Sequence, residues 1–193
     1  MRLAFENLTK IGLPFPHLRV TDILRRDDAD RVLLWFQEKA PWKLTIADFY
    51  EQYEFSLLDS PLEHEIECLI QADVIKTITA ELEFSFDLRT KLELVEASAH
   101  KLMRGQTIRI HNDFIGSEET HRLLIQINAG WELTQGGLLM LFASDAPESL
   151  QSVLLPTHGS GFAFEISPSS FHAVSSINSG ERYTLVYTFR QSA

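Results

Sequence analysis

Residues 161–189 read GFAFEISPSSFHAVSSINSGERYTLVYTF, in which three short apolar runs are separated by two clusters of turn residues. The separators, Ser167-Pro168-Ser169-Ser170 and Asn178-Ser179-Gly180, contain residue types that favour tight turns. From residue 182 to residue 189, Arg, Thr, Val and Thr alternate with Tyr, Leu, Tyr and Phe. This is the two-residue period of a strand with two unlike faces. The pattern predicts antiparallel strands, the last of which has one face that can line a cavity.

The same alternation of short apolar runs and turns extends upstream to Gly105. It predicts seven strands, at 106–112, 121–128, 137–142, 152–155, 161–166, 171–177 and 182–189. Short strands with Gly or Pro between them are typical of a β-sandwich or barrel. We therefore expect a β core after Gly105.

The first half of the chain has a different texture and predicts mainly helices. Acidic starts followed by apolar residues favour helices over 27–40 and 73–86. Ser60-Pro61-Leu62-Glu63 matches a capping box, so a helix is expected to begin there and to run to Ile70. Residues 42–58, which are rich in aromatics, are interpreted as one or two strands.

Length and composition indicate one globular unit. The chain has 193 residues, of which 45% are hydrophobic and 23% are charged, values typical of soluble globular domains. We expect a single domain over 1–193, with a mostly helical support segment at 1–104 and a β core at 105–193 that holds any metal site. The class is α+β, mainly β.

The charge balance argues against two kinds of partner. Seventeen Lys and Arg oppose 27 Asp and Glu, which gives a formal net charge of −10. A general attraction to nucleic acid or to an anionic membrane is therefore not expected. No uncharged apolar run approaches the roughly 20 residues needed to cross a bilayer, so we expect a cytoplasmic protein.

The first candidate for chemistry is His111-Asn112-Asp113, at the end of the first strand of the predicted β core. Residues i and i+2 of a strand project to the same face, so the imidazole and the carboxylate point together. The triplet alone is a weak signal, but His172 begins the sixth predicted strand, and distant strand ends can meet at one barrel mouth. Two His and one carboxylate with open positions are the arrangement of non-haem Fe(II) oxygenases.

A candidate anion-binding pair lies on the last predicted strand. Arg182 and Thr184 share one face, ten and twelve residues after His172. A buried guanidinium is costly without a partner, but it can hold a carboxylate through two parallel hydrogen bonds. A dicarboxylate co-substrate would supply that partner.

With these residues, the sequence resembles the 2-oxoglutarate and Fe(II)-dependent dioxygenases, and among them the prolyl 4-hydroxylase-like branch. The resemblance covers most of the chain and rests on His111-x-Asp113, His172 and Arg182-x-Thr184. The intervening segments 123–131 (LLIQINAGW) and 136–142 (GGLLMLF) also look like segments of that family. The resemblance implies a double-stranded β-helix, or jelly roll, with supporting N-terminal helices.

The resemblance also implies a role for each residue. His111, Asp113 and His172 would be the catalytic Fe(II) ligands, and Arg182, helped by Thr184, would bind the distal carboxylate of 2-oxoglutarate. With O2, 2-oxoglutarate would be converted to succinate and CO2 while the substrate is hydroxylated. Where relatives have a Tyr in the second strand, this chain has Ile125 or Gln126.

The expected activity is hydroxylation of an unactivated carbon in an amino-acid residue of a peptide or protein, by a monomer or homodimer. Asp113 fills the position that halogenating relatives leave open, which favours hydroxylation. Nucleic-acid demethylases of the superfamily have a second Arg where this chain has Thr188. Two alternatives stay open: a hydroxylase of a free amino acid or other small metabolite, and a non-catalytic sensor that binds 2-oxoglutarate.

The remaining candidates receive structural interpretations. None of the other histidines has a second ligand type at strand or helix spacing, so they are expected at surface or hydrogen-bonded structural positions. They are His17, His64, His100, His121 and His158. His121 is the most plausible rival ligand among them.

Overall fold

The computed structural model describes residues 1–116 and 118–192. Its α-helices are α1 (Arg26–Glu38), α2 (His64–Glu67) and α3 (Ala72–Ser85). Its strands are β1 (Leu8–Ile11), β2 (His17–Val20), β3 (Lys43–Ile46), β4 (Glu51–Ser56), β5 (Leu92–Leu102), β6 (Ile108–His111), β7 (His121–Gln126), β8 (Leu139–Phe142), β9 (Leu150–Leu154), β10 (Gly161–Glu165), β11 (His172–Val174) and β12 (Arg182–Gln191). None of the helices in these two ranges combines the length and the apolar character needed to cross a membrane.

Two antiparallel sheets form the body of the protein. The larger has the strand order β1-β2-β10-β7-β12-β5-β4-β3, and the smaller has the order β6-β11-β8-β9. Side chains from both sheets, among them Phe164 of β10 and Leu141 of β8, form one apolar cluster between them. The predicted class, a mainly β fold built as a double-stranded β-helix with supporting helices, is confirmed.

Strand β12 shows how the alternation in the sequence separates two environments. Its large side chains, Tyr183, Leu185, Tyr187 and Phe189, are at most 1% exposed and pack with residues of α1 and α3. Each such burial contributes about 1.5–3 kcal/mol. The intervening residues, Arg182, Thr184, Val186 and Thr188, face a cavity between the sheets. The prediction of one apolar and one cavity-lining face is confirmed.

Most predicted elements are present, with shifted ends. Each of the seven strands predicted after Gly105 overlaps a strand of the structure, and 42–58 contains β3 and β4. The helices predicted over 27–40 and 73–86 are α1 and α3. Hydrophobic periodicity was therefore a reliable guide to the type of these elements.

The description of residues 1–104 as mostly helical is wrong. This segment also contributes five strands, β1 to β5, to the larger sheet. The longest, β5, is rich in Leu, Glu and Ala, which are good helix formers. It is a strand because it pairs with β12 along its whole length and with β4 on its other side. The single domain over 1–193 stays a prediction.

The predicted capping box at Ser60 does not form. Helix α2 begins at His64, with Glu63 in extended conformation before it and no side-chain cap. Glu63 instead accepts two hydrogen bonds from Lys39 Nζ, at 2.8 and 3.0 Å, so its carboxylate is engaged by a distant cation. A tertiary ion pair therefore replaces the local cap.

A buried amide fixes the start of β12. Asn128, which is 3% exposed, accepts a hydrogen bond from the Tyr183 backbone N–H at 2.7 Å. Its Nδ2 donates to the carbonyl oxygens of Tyr183, at 3.0 Å, and of Pro156, at 3.3 Å. One side chain thus satisfies three buried backbone groups beside Arg182 and Thr184.

We predict that Asn128→Ala lowers the free energy of unfolding by about 2–4 kcal/mol, because the buried Tyr183 N–H and Pro156 carbonyl lose this partner, while the Tyr183 carbonyl keeps its bond from the Ile127 N–H. Denaturant unfolding measures the change. The matched control is Asn178→Ala. The exposed side chain of Asn178 makes a single hydrogen bond among the described residues, from Nδ2 to the Thr134 carbonyl at 3.1 Å. Its loss should cost less than about 1 kcal/mol. Equal effects of the two substitutions would contradict this account of Asn128.

Candidate metal centre and active site

A cavity of about 590 Å³ lies between the two sheets. Strands β6 and β11 line it on the side of the smaller sheet, and β4, β5, β7 and β12 line it on the other side. All five predicted site residues lie in its walls: His111, Asp113, His172, Arg182 and Thr184. The structure therefore brings the whole predicted set into one cavity.

The three predicted metal ligands converge at one point of the wall. His111 and His172 are directly paired in the β6–β11 register, and their ring centroids are 4.3 Å apart. Nε2 of His111 lies 3.3 Å from Asp113 Oδ1, and Nε2 of His172 lies 3.3 Å from Asp113 Oδ2. One ligand atom from each residue falls within 4.8 Å of the others, a spacing that can hold a metal ion.

Asp113 reaches this point by a route that the sequence did not predict. Strand β6 ends at His111, so the two residues do not share one strand as expected. Asp113 instead has a φ of 60°, in the left-handed region that Asp tolerates better than most residues. Asn112 anchors the turn, because its Nδ2 donates to the Pro168 carbonyl at 3.1 Å and its carbonyl accepts from Ser170 Oγ at 3.0 Å. The turn is thereby tied to the segment that precedes His172.

Both imidazoles direct their Nε2 atoms toward the Asp113 carboxylate, where a metal ion would be held. Nδ1 of His111 lies 2.8 Å from the Arg109 carbonyl, and Nδ1 of His172 lies 2.8 Å from the Ser170 carbonyl. A carbonyl oxygen only accepts, so each Nδ1 carries the proton and each Nε2 keeps a free lone pair. Burial also lowers the pKa of His172. Imidazoles oriented in this way can serve as metal ligands through Nε2.

Asp113 supplies an ionised carboxylate. Burial alone would raise the pKa of Asp113, but the charge of Arg122 holds that pKa well below its ordinary value. Arg122 Nη1 lies 2.7 Å from Oδ2, so the guanidinium compensates the carboxylate, while each carboxylate oxygen also faces one imidazole Nε2. Two imidazole nitrogens and a carboxylate fit Fe(II), whose oxygenase sites use this donor set.

Arg182 provides a second charged position in the cavity, separate from the His-His-Asp cluster. It is 4% exposed, donates from Nη1 to Thr184 Oγ1 at 2.9 Å, and has no carboxylate within 4.0 Å in the ranges that the structure describes. Burial lowers the pKa of Arg182 to about 10, so the guanidinium stays charged at neutral pH. Space for it depends on Gly137, where a Cβ atom would lie 2.9 Å from Arg182 Cδ. A buried and uncompensated guanidinium fits the distal carboxylate of a dicarboxylic acid.

The sequence analysis missed two further residues of this site. Arg122 of β7 lies 2.7 Å from Asp113 and also 2.7 Å from Glu119, and Gln126 accepts a hydrogen bond from Thr184 Oγ1 at 3.2 Å. The two-residue period of β7 could have identified both, because Arg122 and Gln126 pair with cavity-facing residues of β12. His121, the rival ligand, alternates to the opposite face and packs against Phe86 at 5.1 Å.

The comparisons with known proteins agree with this geometry. Residues 97–189 match the model of the 2OG-Fe(II) oxygenase superfamily, a range that includes every predicted site residue. No curated protein matches the chain.

Several solved structures similar to this chain are prolyl hydroxylases. A Pseudomonas putida prolyl-4-hydroxylase has a TM-score of 0.72 at 16% identity, with 92% of this chain and 93% of that chain covered. A Trichoplax adhaerens prolyl hydroxylase, in complex with a hypoxia inducible factor peptide fragment, has a TM-score of 0.75 at 10% identity, with 90% and 83% covered. The viral collagen prolyl hydroxylase of Paramecium Bursaria Chlorella virus-1 has a TM-score of 0.63 at 18% identity, with 92% and 96% covered.

At these identities the similarity to solved structures shows the fold, and the family match adds the chemistry. Fe(II), 2-oxoglutarate and O2 are the metal, co-substrate and oxidant of the superfamily. The donor set of the cavity fits the first two of them. The family match over 97–189 and this fold together support a 2-oxoglutarate and Fe(II)-dependent oxygenase that is similar to the prolyl hydroxylases.

Proposed function

We propose that this oxygenase hydroxylates an unactivated carbon of an amino-acid residue within a peptide or protein. In the proposal, His111, Asp113 and His172 hold Fe(II), and Arg182 with Thr184 holds the distal carboxylate of 2-oxoglutarate. The observation that carries it is the convergence of a His-His-Asp cluster and a buried, uncompensated guanidinium on one cavity. An iron ligand set and a dicarboxylate site in one cavity are what a 2-oxoglutarate-dependent reaction requires.

Bound Fe(II), with 2-oxoglutarate and O2, supplies the oxidising power that replaces C–H by C–OH while 2-oxoglutarate is converted to succinate and CO2. The protein supplies binding, orientation and the exclusion of water. The carbonyls of Arg109 and Ser170 fix the two imidazoles, and Arg182 fixes one end of the co-substrate. Phe49 stacks on His111 with ring centroids 4.4 Å apart, which shields that ligand from solvent.

The peptide part of the proposal is supported by the mouth of the cavity. Phe114 and Ile115, the two residues after Asp113, line the cavity and are 44% and 75% exposed. Exposed apolar side chains at the rim of a site are typical contacts for a bound partner. The solved Trichoplax adhaerens relative holds a peptide fragment, which agrees with a substrate of this kind.

We predict that Asp113→Ala and His172→Ala abolish Fe(II)-dependent succinate formation, because each variant removes one of three protein ligands. The measurement is anaerobic reconstitution with Fe(II), addition of O2, and detection of succinate from 2-oxoglutarate with a panel of peptides and amino acids. His64→Ala, which alters an exposed histidine outside the cavity, is the control. Turnover like that of the wild type in either ligand variant would refute the assigned triad. Binding of 2-oxoglutarate without turnover across the panel would leave two interpretations, a sensor or an enzyme whose substrate is not in the panel.

We predict that Arg182→Met raises the half-saturating concentration of 2-oxoglutarate at least tenfold and leaves one metal ion bound. The substitution keeps an apolar stem but removes a charge-assisted contact worth about 1.5–3 kcal/mol. Calorimetric titration of the Mn(II) form with 2-oxoglutarate measures the change. Arg190→Met serves as the control, since Arg190 is paired with Glu93 and Glu118 on the surface. An unchanged affinity would reject the role of Arg182.

A further inference from the structure

The cavity would keep an excess of negative charge after the metal and the co-substrate had bound. Its described walls carry four carboxylates, on Glu54, Glu96, Asp113 and Glu119, and two guanidinium groups, on Arg122 and Arg182. A divalent metal and a dicarboxylate co-substrate together add no net charge. Two negative charges therefore remain to be compensated.

These charges are on Glu54 and Glu96, because the other charged groups are already matched. Arg122 lies between Asp113 and Glu119, at 2.7 Å from each. Neither Glu54 nor Glu96 has a Lys or Arg nitrogen within 4.0 Å in the described ranges. The one basic group near Glu54 is His100, at 3.9 Å, and burial lowers the pKa of His100 to about 4. At neutral pH that imidazole carries no compensating charge.

Two buried side chains independently lack a partner on the same wall. Thr188 is 0% exposed, pairs directly with Glu96 in the β12–β5 register, and its hydroxyl makes no hydrogen bond to any described residue. Gln52 is 2% exposed and donates to Glu54 at 2.7 Å, but its Oε1, which can only accept, is unpaired within the same ranges. We call these four residues, Gln52, Glu54, Glu96 and Thr188, the acceptor wall. The unpaired oxygens of Gln52 and Thr188 have no donor among the described residues.

The acceptor wall extends from the proposed co-substrate residues toward the proposed metal ligands. Glu54 pairs with His100, which pairs with Thr184, so one end of the wall adjoins Thr184. On β12, Thr188 lies six residues from Arg182, roughly 20 Å along an extended strand. Arg182 is the proposed holder of 2-oxoglutarate. Glu96 and Thr188 instead form one cross-strand row with Arg122, which contacts the ligand Asp113. This end of the acceptor wall therefore lies beside the proposed metal ligand Asp113 and away from Arg182.

We infer that the acceptor wall binds a cationic group of the substrate, an ammonium or a guanidinium, and that the enzyme therefore selects a lysine or arginine side chain. This inference rests on the proposed function and names the substrate class of the same site. Such a group offers several N–H donors and the positive charge that the cavity lacks. A carboxylate substrate would add to the excess of negative charge, and a prolyl or leucyl side chain would leave the acceptors unpaired.

The test compares side chains of similar size and different charge. The Mn(II) form with 2-oxoglutarate is titrated calorimetrically with the Nα-acetyl methylamides of lysine, arginine, norleucine and glutamate, and with free lysine. The lysine or arginine derivative should bind at least tenfold more tightly than norleucine, and the glutamate derivative should bind weakest. Tighter binding of free lysine than of its blocked form would support the wall and assign a free amino acid as the source of the cation.

Matched variants locate the effect. Glu96→Gln and Glu54→Gln keep the size of the side chain and remove its charge, so each should lower the affinity for the lysine derivative about tenfold. Neither variant should change the affinity for norleucine. Glu165→Gln, on the exposed end of β10 outside the cavity, should retain the preference of the wild type.

The outcomes separate this inference from the function on which it rests. If the wild type binds the lysine and norleucine derivatives equally well, or binds neither measurably, the inference is overturned even if Mn(II) and 2-oxoglutarate bind. A preference for cations that survives in both glutamine variants also overturns it. Failure of Mn(II) or 2-oxoglutarate to bind, with the cation preference intact, contradicts the proposed function and leaves the acceptor wall supported.

Discussion

The pairing of β12 between β5 and β7 is the constraint on which the rest of the structure depends. β12 is paired with β5 from Arg182 to Gln191 and with β7 from Thr184 to Phe189. Because side chains alternate along a strand, a shift of one residue would exchange the apolar face for the cavity face. The register therefore sets two things together. It buries the aromatic side chains against the helices, and it places Arg182 and Thr188 at opposite ends of the cavity.

Electrostatics give that cavity its chemistry. Some charged groups in the cavity are paired with a group of opposite charge, and others are not. Arg122 has two carboxylates, Asp113 and Glu119, whereas Arg182 has none within 4.0 Å among the described residues. Unmatched charges in a protein interior are costly unless a ligand completes them. The charges that the cavity leaves uncompensated are thus complementary to those of the metal, the co-substrate and, by our inference, a cationic substrate group.

The sequence predicted five residues that the structure brings into one cavity and also predicted part of the fold, for identifiable reasons. The period of β12 and the ligand types at His111, Asp113 and His172 are local features, and the structure brings these residues together as predicted. β5 was missed because long-range pairing overrode a composition that favours helix. The left-handed turn at Asp113 depends on contacts with the segment before His172, which no local pattern reveals.

The most direct test of the central claim is a crystal structure of the Mn(II) complex with 2-oxoglutarate, with the metal located by its anomalous scattering. We predict a single metal peak bounded by Nε2 of His111, Nε2 of His172 and the carboxylate of Asp113. We also predict that the distal carboxylate of 2-oxoglutarate lies on Arg182. A metal peak elsewhere in the chain, or 2-oxoglutarate bound away from Arg182, would contradict the account.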